Sequence, residues 1–273
     1  MDYASLPAMS DESELRLYVA CARDFGERSS CRQFLAALEE CGSDWLPERF
    51  GSAEPLRRRF REEGATGACE AWNTPPRPGS AGGDLLYRSS NTLKARGWVY
   101  WRRGPRHDVN FVNIAVPAKS PELVIATTLV KLGKWFIRDL GGVFGRVCHS
   151  ADFDAQHKQR TPGGYQYVGQ RLSEGLPGLY WANMFGAELV RLIGERRFEQ
   201  CPASNKEQTA DGTWILFSSA SPIDYASDHT QDLRAAMRQT IGAEFFFDIN
   251  APNVKPTPIP FQRSAITRLG AQR

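Results

Sequence analysis

His149, Asp152, Asp154 and His157 form the best metal-like constellation in the sequence. Imidazole and carboxylate are competent ligands for zinc or a non-haem metal. A metal held there would activate water, and a metal-dependent hydrolase would have to use this His149–His157 region. The spacing matches no established ligand pattern, and no helical periodicity puts both histidines on one face. A polar, solvated loop is therefore the default reading. Asp152 and Asp154 offer acid–base chemistry, but that work needs a perturbed environment the sequence does not display. A second reading makes them acidic contacts for a basic protein partner.

Other reactive groups are weaker. Ser218-Ser219-Ala220-Ser221 follows a strand but lacks the glycine-flanked elbow of a serine nucleophile, so it reads as a turn. Gly141-Gly142-Val143-Phe144-Gly145 lacks phosphate-loop spacing and precedes a strand. Arg57-Arg58-Arg59-Phe60-Arg61, with Glu54, Glu62 and Glu63 beside it, reads as a solvated helix face. Glu39-Glu40 lie on the polar side of a helix. Six cysteines are scattered without a CxxC pair, as expected of reduced, mostly buried thiols. No metal or cofactor is expected.

The elements that must position these groups are legible from periodicity. Leu15, Leu17, Val19 and Cys21 alternate as in a half-buried strand. Ser30 and Gln33 have capping-box spacing ahead of a helix with Cys31, Phe34, Leu35 and Leu38 on one face and Gly42 at its end. Pro55, Leu56, Phe60 and Gly64 suggest a short helix. Residues 73–84 read as a Pro/Gly-rich loop. Trp98–Trp101 and Val109–Val116 read as two strands turned by Arg103-Gly104-Pro105-Arg106. Ser120-Pro121-Glu122 starts a helix striped by Ile125, Leu129, Leu132 and Phe136. Val143–Cys148 reads as a strand and residues 150–175 as loop.

Trp181, Phe185, Leu189 and Leu192 have the spacing of one helix that ends at Gly194. Trp214–Phe217 follows the Asp211-Gly212 turn as a buried strand. Asp228 and Gln231 have capping-box spacing before a stripe of Leu233, Met237 and Ile241. Glu244–Ile249 reads as a last strand. Strands and helices mix without βαβ alternation, which predicts an α+β fold with a mostly antiparallel sheet in one domain. The expected organisation is a leader at residues 1–13, a domain over 14–249 and an extended basic tail over 250–273.

The chain has 273 residues, 41% apolar and 24% charged, in the range of ordinary globular proteins. Its start carries no secretory signal, and no apolar run approaches the roughly 20 residues of a membrane span. The formal charge is +3, of which Lys255, Arg263, Arg268 and Arg273 contribute four, leaving −1 for residues 1–249. A near-neutral body argues against a general nucleic-acid binder.

The most distinctive segment holds no reactive group at all: Leu176-Pro177-Gly178-Leu179-Tyr180-Trp181-Ala182-Asn183-Met184-Phe185-Gly186. With Asp44-Trp45, Arg96-Gly97-Trp98 and Asn110-Phe111-Val112-Asn113, it resembles the immunity protein 52 family of bacterial polymorphic-toxin systems. The resemblance runs from about Glu14 to Gly242. It makes Trp45, Trp98, Tyr180, Trp181, Asn183, Phe185 and Gly186 the family-motif and core positions.

Such proteins bind and neutralise a toxin encoded next door. That toxin is often a DNA-cutting nuclease of restriction-endonuclease fold, delivered by contact-dependent or type VI secretion. The resemblance thus implies a cytoplasmic, non-catalytic inhibitor whose partner is a protein, not nucleic acid or membrane. Because nuclease grooves are basic, local acids would steer the encounter, and Asp152, Asp154, Asp224 and Asp228 are the candidate toxin contacts. An adaptor that loads an effector for secretion is the remaining alternative.

Overall fold

A computed structural model of the chain describes residues 13–75, 81–103, 110–118 and 122–259. The leader before Ser13, the middle of the Pro/Gly loop, Gly104-Pro105-Arg106, Ser120-Pro121 and the tail from Pro260 lie outside the described residues.

Strand β1 (Glu14–Cys21) follows from its alternation, and Leu15, Leu17, Val19 and Cys21 are fully buried. Helix α1 (Arg28–Glu40) buries Cys31, Phe34, Leu35 and Leu38. Its N-cap is Glu27, not Ser30, which is buried inside the helix. A 3-10 turn (Ser43–Trp45) leads to β2 (Arg49–Gly51), β3 (Arg58–Arg59) and α2 (Phe60–Trp72). The expected helix from Pro55 to Gly64 is thus displaced. Gly64 is a kink within α2, at φ 59° and ψ −158°, and Gly67, Ala68, Ala71 and Trp72 continue the buried face beyond it.

Strands β4 (Gly82–Arg88), β5 (Arg96–Arg102) and β6 (Asn110–Pro117) come next, with β5 and β6 antiparallel as their turn residues predict. Helix α3 (Glu122–Leu140) buries Leu129, Leu132 and Phe136. Strand β7 (Gly142–His149) runs directly into α4 (Ser150–His157), then the hairpin β8 (Lys158–Thr161) and β9 (Gly164–Tyr167). The polar stretch expected as loop is therefore largely ordered.

The Trp181–Leu192 stretch is not one helix. Strand β10 (Ala182–Phe185) precedes α5 (Ala187–Ile193), and Leu192 is 44% exposed. An unbroken apolar run cannot be assigned to helix or strand by period alone, and here pairing with a neighbouring strand decided it. Helix α6 (Glu195–Gln200), β11 (Asn205–Gln208), β12 (Trp214–Phe217) and α7 (Asp228–Ile241) complete the order. Ser227 caps α7 by accepting from the Thr230 N–H, so the Asp228–Gln231 box is not the cap. The expected final strand is a 3-10 turn (Ala243–Phe245) followed by a single bridge from Phe246 to Leu176.

Ten strands join one sheet in the order β11-β12-β10-β7-β1-β6-β5-β4-β2-β3, and β8-β9 forms a second. The pairings with described register are antiparallel. The fold is α+β. Among the described residues no helix is long and apolar enough to cross a membrane. All six cysteines are free thiols.

The described chain divides into two compact units. One holds residues 17–116 and 128–145. There β4, β5 and β6 bury Leu85, Tyr87, Val99, Trp101, Val112 and Ile114 on one face. Phe34 ties that face to its helices, meeting Tyr87, Trp72 and Phe136 at ring distances of 6.0, 5.6 and 5.5 Å. On the opposite face Leu86, Trp98, Tyr100 and Asn113 are only half-buried. The other unit holds residues 13–16, 117–127 and 146–259 and carries the group of side chains described next.

Candidate functional site

Where β7 passes into α4, His149 acts as the N-cap. Its Nδ1 accepts from the Ala151 N–H at 3.2 Å, which places the ring proton on Nε2, 2.5 Å from Ser13 Oγ. The ring stacks on Tyr225 at 5.5 Å and 12°. Burial holds its pKa below the ordinary histidine value, against the pull of Glu122 and Asp152.

Asp152, one turn into α4, is buried. It accepts from both Nη atoms of Arg234 on α7, each at 2.8 Å, and from Gln156 Nε2 at 3.0 Å. Arg234 is itself buried and donates its Nε–H to Ser218 Oγ at 3.1 Å. The pair is a fork-to-fork clamp of the strong, charge-assisted kind. Gln156 also donates to the Leu179 carbonyl at 2.9 Å. Its Oε1 lies 2.3 Å from where a Cβ on Gly178 would stand, and Gly178 has φ 150°, so only glycine suits that position.

His157 closes the helix, fully buried. Its Nδ1–H donates to the Val168 carbonyl at 2.7 Å, leaving Nε2 to accept from the Tyr180 hydroxyl. Burial, helped by the Arg146 guanidinium, pushes its pKa down to about 3. Burial raises the Tyr180 phenol well above its ordinary value. Arg146 lies over the rings of Phe153 and Tyr180 at 4.6 and 4.9 Å. Tyr180 is fixed in turn by Asn183, whose Oδ1 accepts from the Tyr180 N–H at 2.9 Å. The Asn183 Nδ2 donates to the carbonyls of Tyr180 and Leu216 at 2.9 and 3.3 Å.

The family-motif residues fall mostly inside. Trp45, Tyr180, Trp181, Asn183, Phe185 and Gly186 are buried. Trp181 donates its Nε1–H to the Ser219 carbonyl at 3.2 Å, and Phe185 meets Phe198 at 5.0 Å. Gly186 caps α5. Trp98 is the exception, half-buried on the open face of its strand.

The four expected acidic contacts separate. Asp152 is not a loop acid, because the Arg234 pair draws it into the core. Asp154 is on α4 too, bonded to Lys158 at 3.4 Å and to the Tyr167 hydroxyl at 3.1 Å. Burial and this carboxylate raise the Tyr167 pKa to about 12. Asp224, in the 3-10 turn Pro222–Ala226, and Asp228, opening α7, are exposed.

As chemistry, the group is closed. His157 stays neutral, the Tyr180 phenol stays protonated, and both are engaged with each other away from solvent. His149 and His157 do not converge. Among the described residues no three His, Cys, Asp or Glu side chains stand so as to hold a metal ion. The Ser218 hydroxyl is a partner of Arg234, and Ser219 Oγ donates to the Ser221 carbonyl at 2.7 Å, a turn contact.

Sequence reasoning missed Arg234 and Arg146. Arg234 had a signal: it falls with Thr230, Met237 and Ile241 on the buried stripe of α7, where a cation requires a buried anion.

No protein-family model and no curated protein matches the sequence. Among solved structures the fold is similar to the Pseudomonas aeruginosa T6SS protein PA0821. The TM-score is 0.54 at 15% identity, over 84% of this chain and 72% of that one. At such identity the likeness is one of fold.

Proposed function

We propose that this chain is an immunity protein. It binds a cognate secreted toxin in the bacterial cytoplasm and neutralises it by protein–protein binding, without turnover. The toxin is a DNA-cutting nuclease of restriction-endonuclease fold.

The Leu176–Gly186 segment carries this reading. Its resemblance to the immunity protein 52 family is the specific one, and the fold likeness to a protein described as belonging to a T6SS supports the same setting. The closed state of the Asp152–Arg234 and His157–Tyr180 pairs agrees with it, since the side chains best suited to chemistry hold the fold together. Exposed Asp224 and Asp228 remain as acids able to steer a basic partner.

Co-expression tests it. The product of the neighbouring toxin reading frame should kill when expressed alone, and this chain should rescue growth and co-purify with it. Co-purification with toxin activity intact would instead indicate a loading adaptor. Absence of both rescue and binding would overturn the proposal.

A further inference from the structure

The register of the strands over residues 49–102 aligns arginines that are far apart in the sequence. Arg59 on β3 stands opposite Arg49 on β2, Arg49 opposite Arg88 on β4, and Arg88 opposite Arg96 on β5. Directly opposed residues share a face, so one row of four guanidinium side chains crosses four strands. At the usual strand spacing the row spans about 15 Å.

Like charges directly opposed across strands destabilise a sheet. Among the described residues relief is partial, and Arg96 has a partner of its own. Arg88 meets Glu54 at 3.1 Å and Arg59 meets Glu62 at 3.4 Å, both solvent-exposed pairs of small worth. Arg49, between them, is exposed and pairs with no described carboxylate. Beside it opens a recess of about 480 Å³ lined in part by Arg49, Arg59, Arg61, Ser43 and Ser90.

The same face continues into an aromatic platform. Arg96, Trp98 and Tyr100 alternate outward along β5, and Leu86 lies across from Trp98. Leu86, Trp98 and Tyr100 are half-buried, whereas the residues between them fill the core. The platform is held rigid. Tyr100 stacks on Phe111 at 5.1 Å and 12°, Arg102 lies over Tyr100 at 4.1 Å, and Trp98 donates its Nε1–H to Asp84 at 3.1 Å. Rigid, half-exposed Trp and Tyr beside Arg are the side chains that dominate binding energy at protein interfaces.

We propose that this open face, the Arg59–Arg49–Arg88–Arg96 row with Trp98 and Tyr100 beside it, is the toxin-docking surface and receives an acidic, carboxylate-bearing surface of the toxin. The inference rests on the immunity reading. A protein occupant fits better than a nucleic acid, because Glu54, Glu62 and Asp84 border the row and the net charge of residues 1–249 is −1.

The test measures affinity for the purified product of the neighbouring toxin reading frame and, separately, for a single-stranded oligonucleotide. Its subjects are the wild-type chain, the Arg49→Glu/Arg88→Glu variant, and Arg160→Glu as a control on an exposed hairpin position. The substituted side chains are exposed, and matched thermal unfolding checks that each variant is folded. The double variant should bind about 100-fold more weakly, with a shallower salt dependence, and the control should bind as wild type. Wild-type binding that the double variant retains overturns the docking face alone. Loss of single-stranded oligonucleotide binding with toxin binding intact also overturns it, assigning the face to nucleic acid. Failure of the wild-type chain to bind the toxin overturns the immunity reading itself.

Discussion

Arg234 clamps Asp152 with both Nη atoms at 2.8 Å, joining α7 to α4 across 82 residues of sequence inside the core. Burying two charges is costly, but removing one partner is worse, because the other stays buried and unpaired. Arg234→Ala or Asp152→Ala should each cost about 3–5 kcal/mol of stability. The apolar pair Arg234→Met/Asp152→Leu should cost less than the sum of the single changes. Urea unfolding of the four proteins checks this, and additive losses would contradict it.

His157 sets a pH dependence of stability with a definite sign. Its folded pKa of about 3 lies below the ordinary value of 6.5. Below pH 6.5 the unfolded chain therefore takes up a proton that the folded chain refuses. The contribution is fully present above pH 6.5 and is lost as pH falls towards 3, at up to about 1.4 kcal/mol per pH unit. His149, also lowered by burial, acts in the same direction. Urea midpoints should fall from pH 7.5 to 4.5, and His157→Phe should flatten that slope. A wild-type midpoint independent of pH over this range would refute the assignment.

Asn183 does the work of a short piece of backbone for Tyr180. Asn183→Ala removes three hydrogen bonds and leaves the buried Tyr180 N–H without its partner. The expected loss is about 2–3 kcal/mol, read as a lower urea midpoint with the chain still folded. Asn183→Asp should be no better, because a carboxylate cannot donate to the Tyr180 and Leu216 carbonyls.

These cases mark how far the sequence could be read. β1, β12 and the antiparallel β5–β6 pair were legible because each advertises itself locally, by alternation or by flanking residues. The helix wrongly inferred from Trp181 to Leu192 shows the opposite: all four residues of β10 are buried, so its apolar pattern has no period to read. Asp152 looked like a surface acid because its partner lies on another helix. The arginine row was invisible for the same reason, since Arg49, Arg59, Arg88 and Arg96 meet only once strand register is fixed.

Asp224 and Asp228 are exposed acids near the start of α7. If they steer a basic toxin, Asp224→Asn/Asp228→Asn should slow association several-fold at low salt and leave dissociation nearly unchanged. Stopped-flow or surface-based kinetics at two salt concentrations would show it. Equal association rates at low salt would exclude a steering role for these two residues.

The proposed function requires stoichiometric, non-catalytic inhibition. It is read by titrating a fixed amount of purified toxin with this chain and following DNA cleavage. Activity should fall in proportion to added chain, reach its floor near a simple fixed ratio, and return when the complex is dissociated. Undiminished cleavage at excess chain, or irreversible loss of activity at trace amounts, would contradict it.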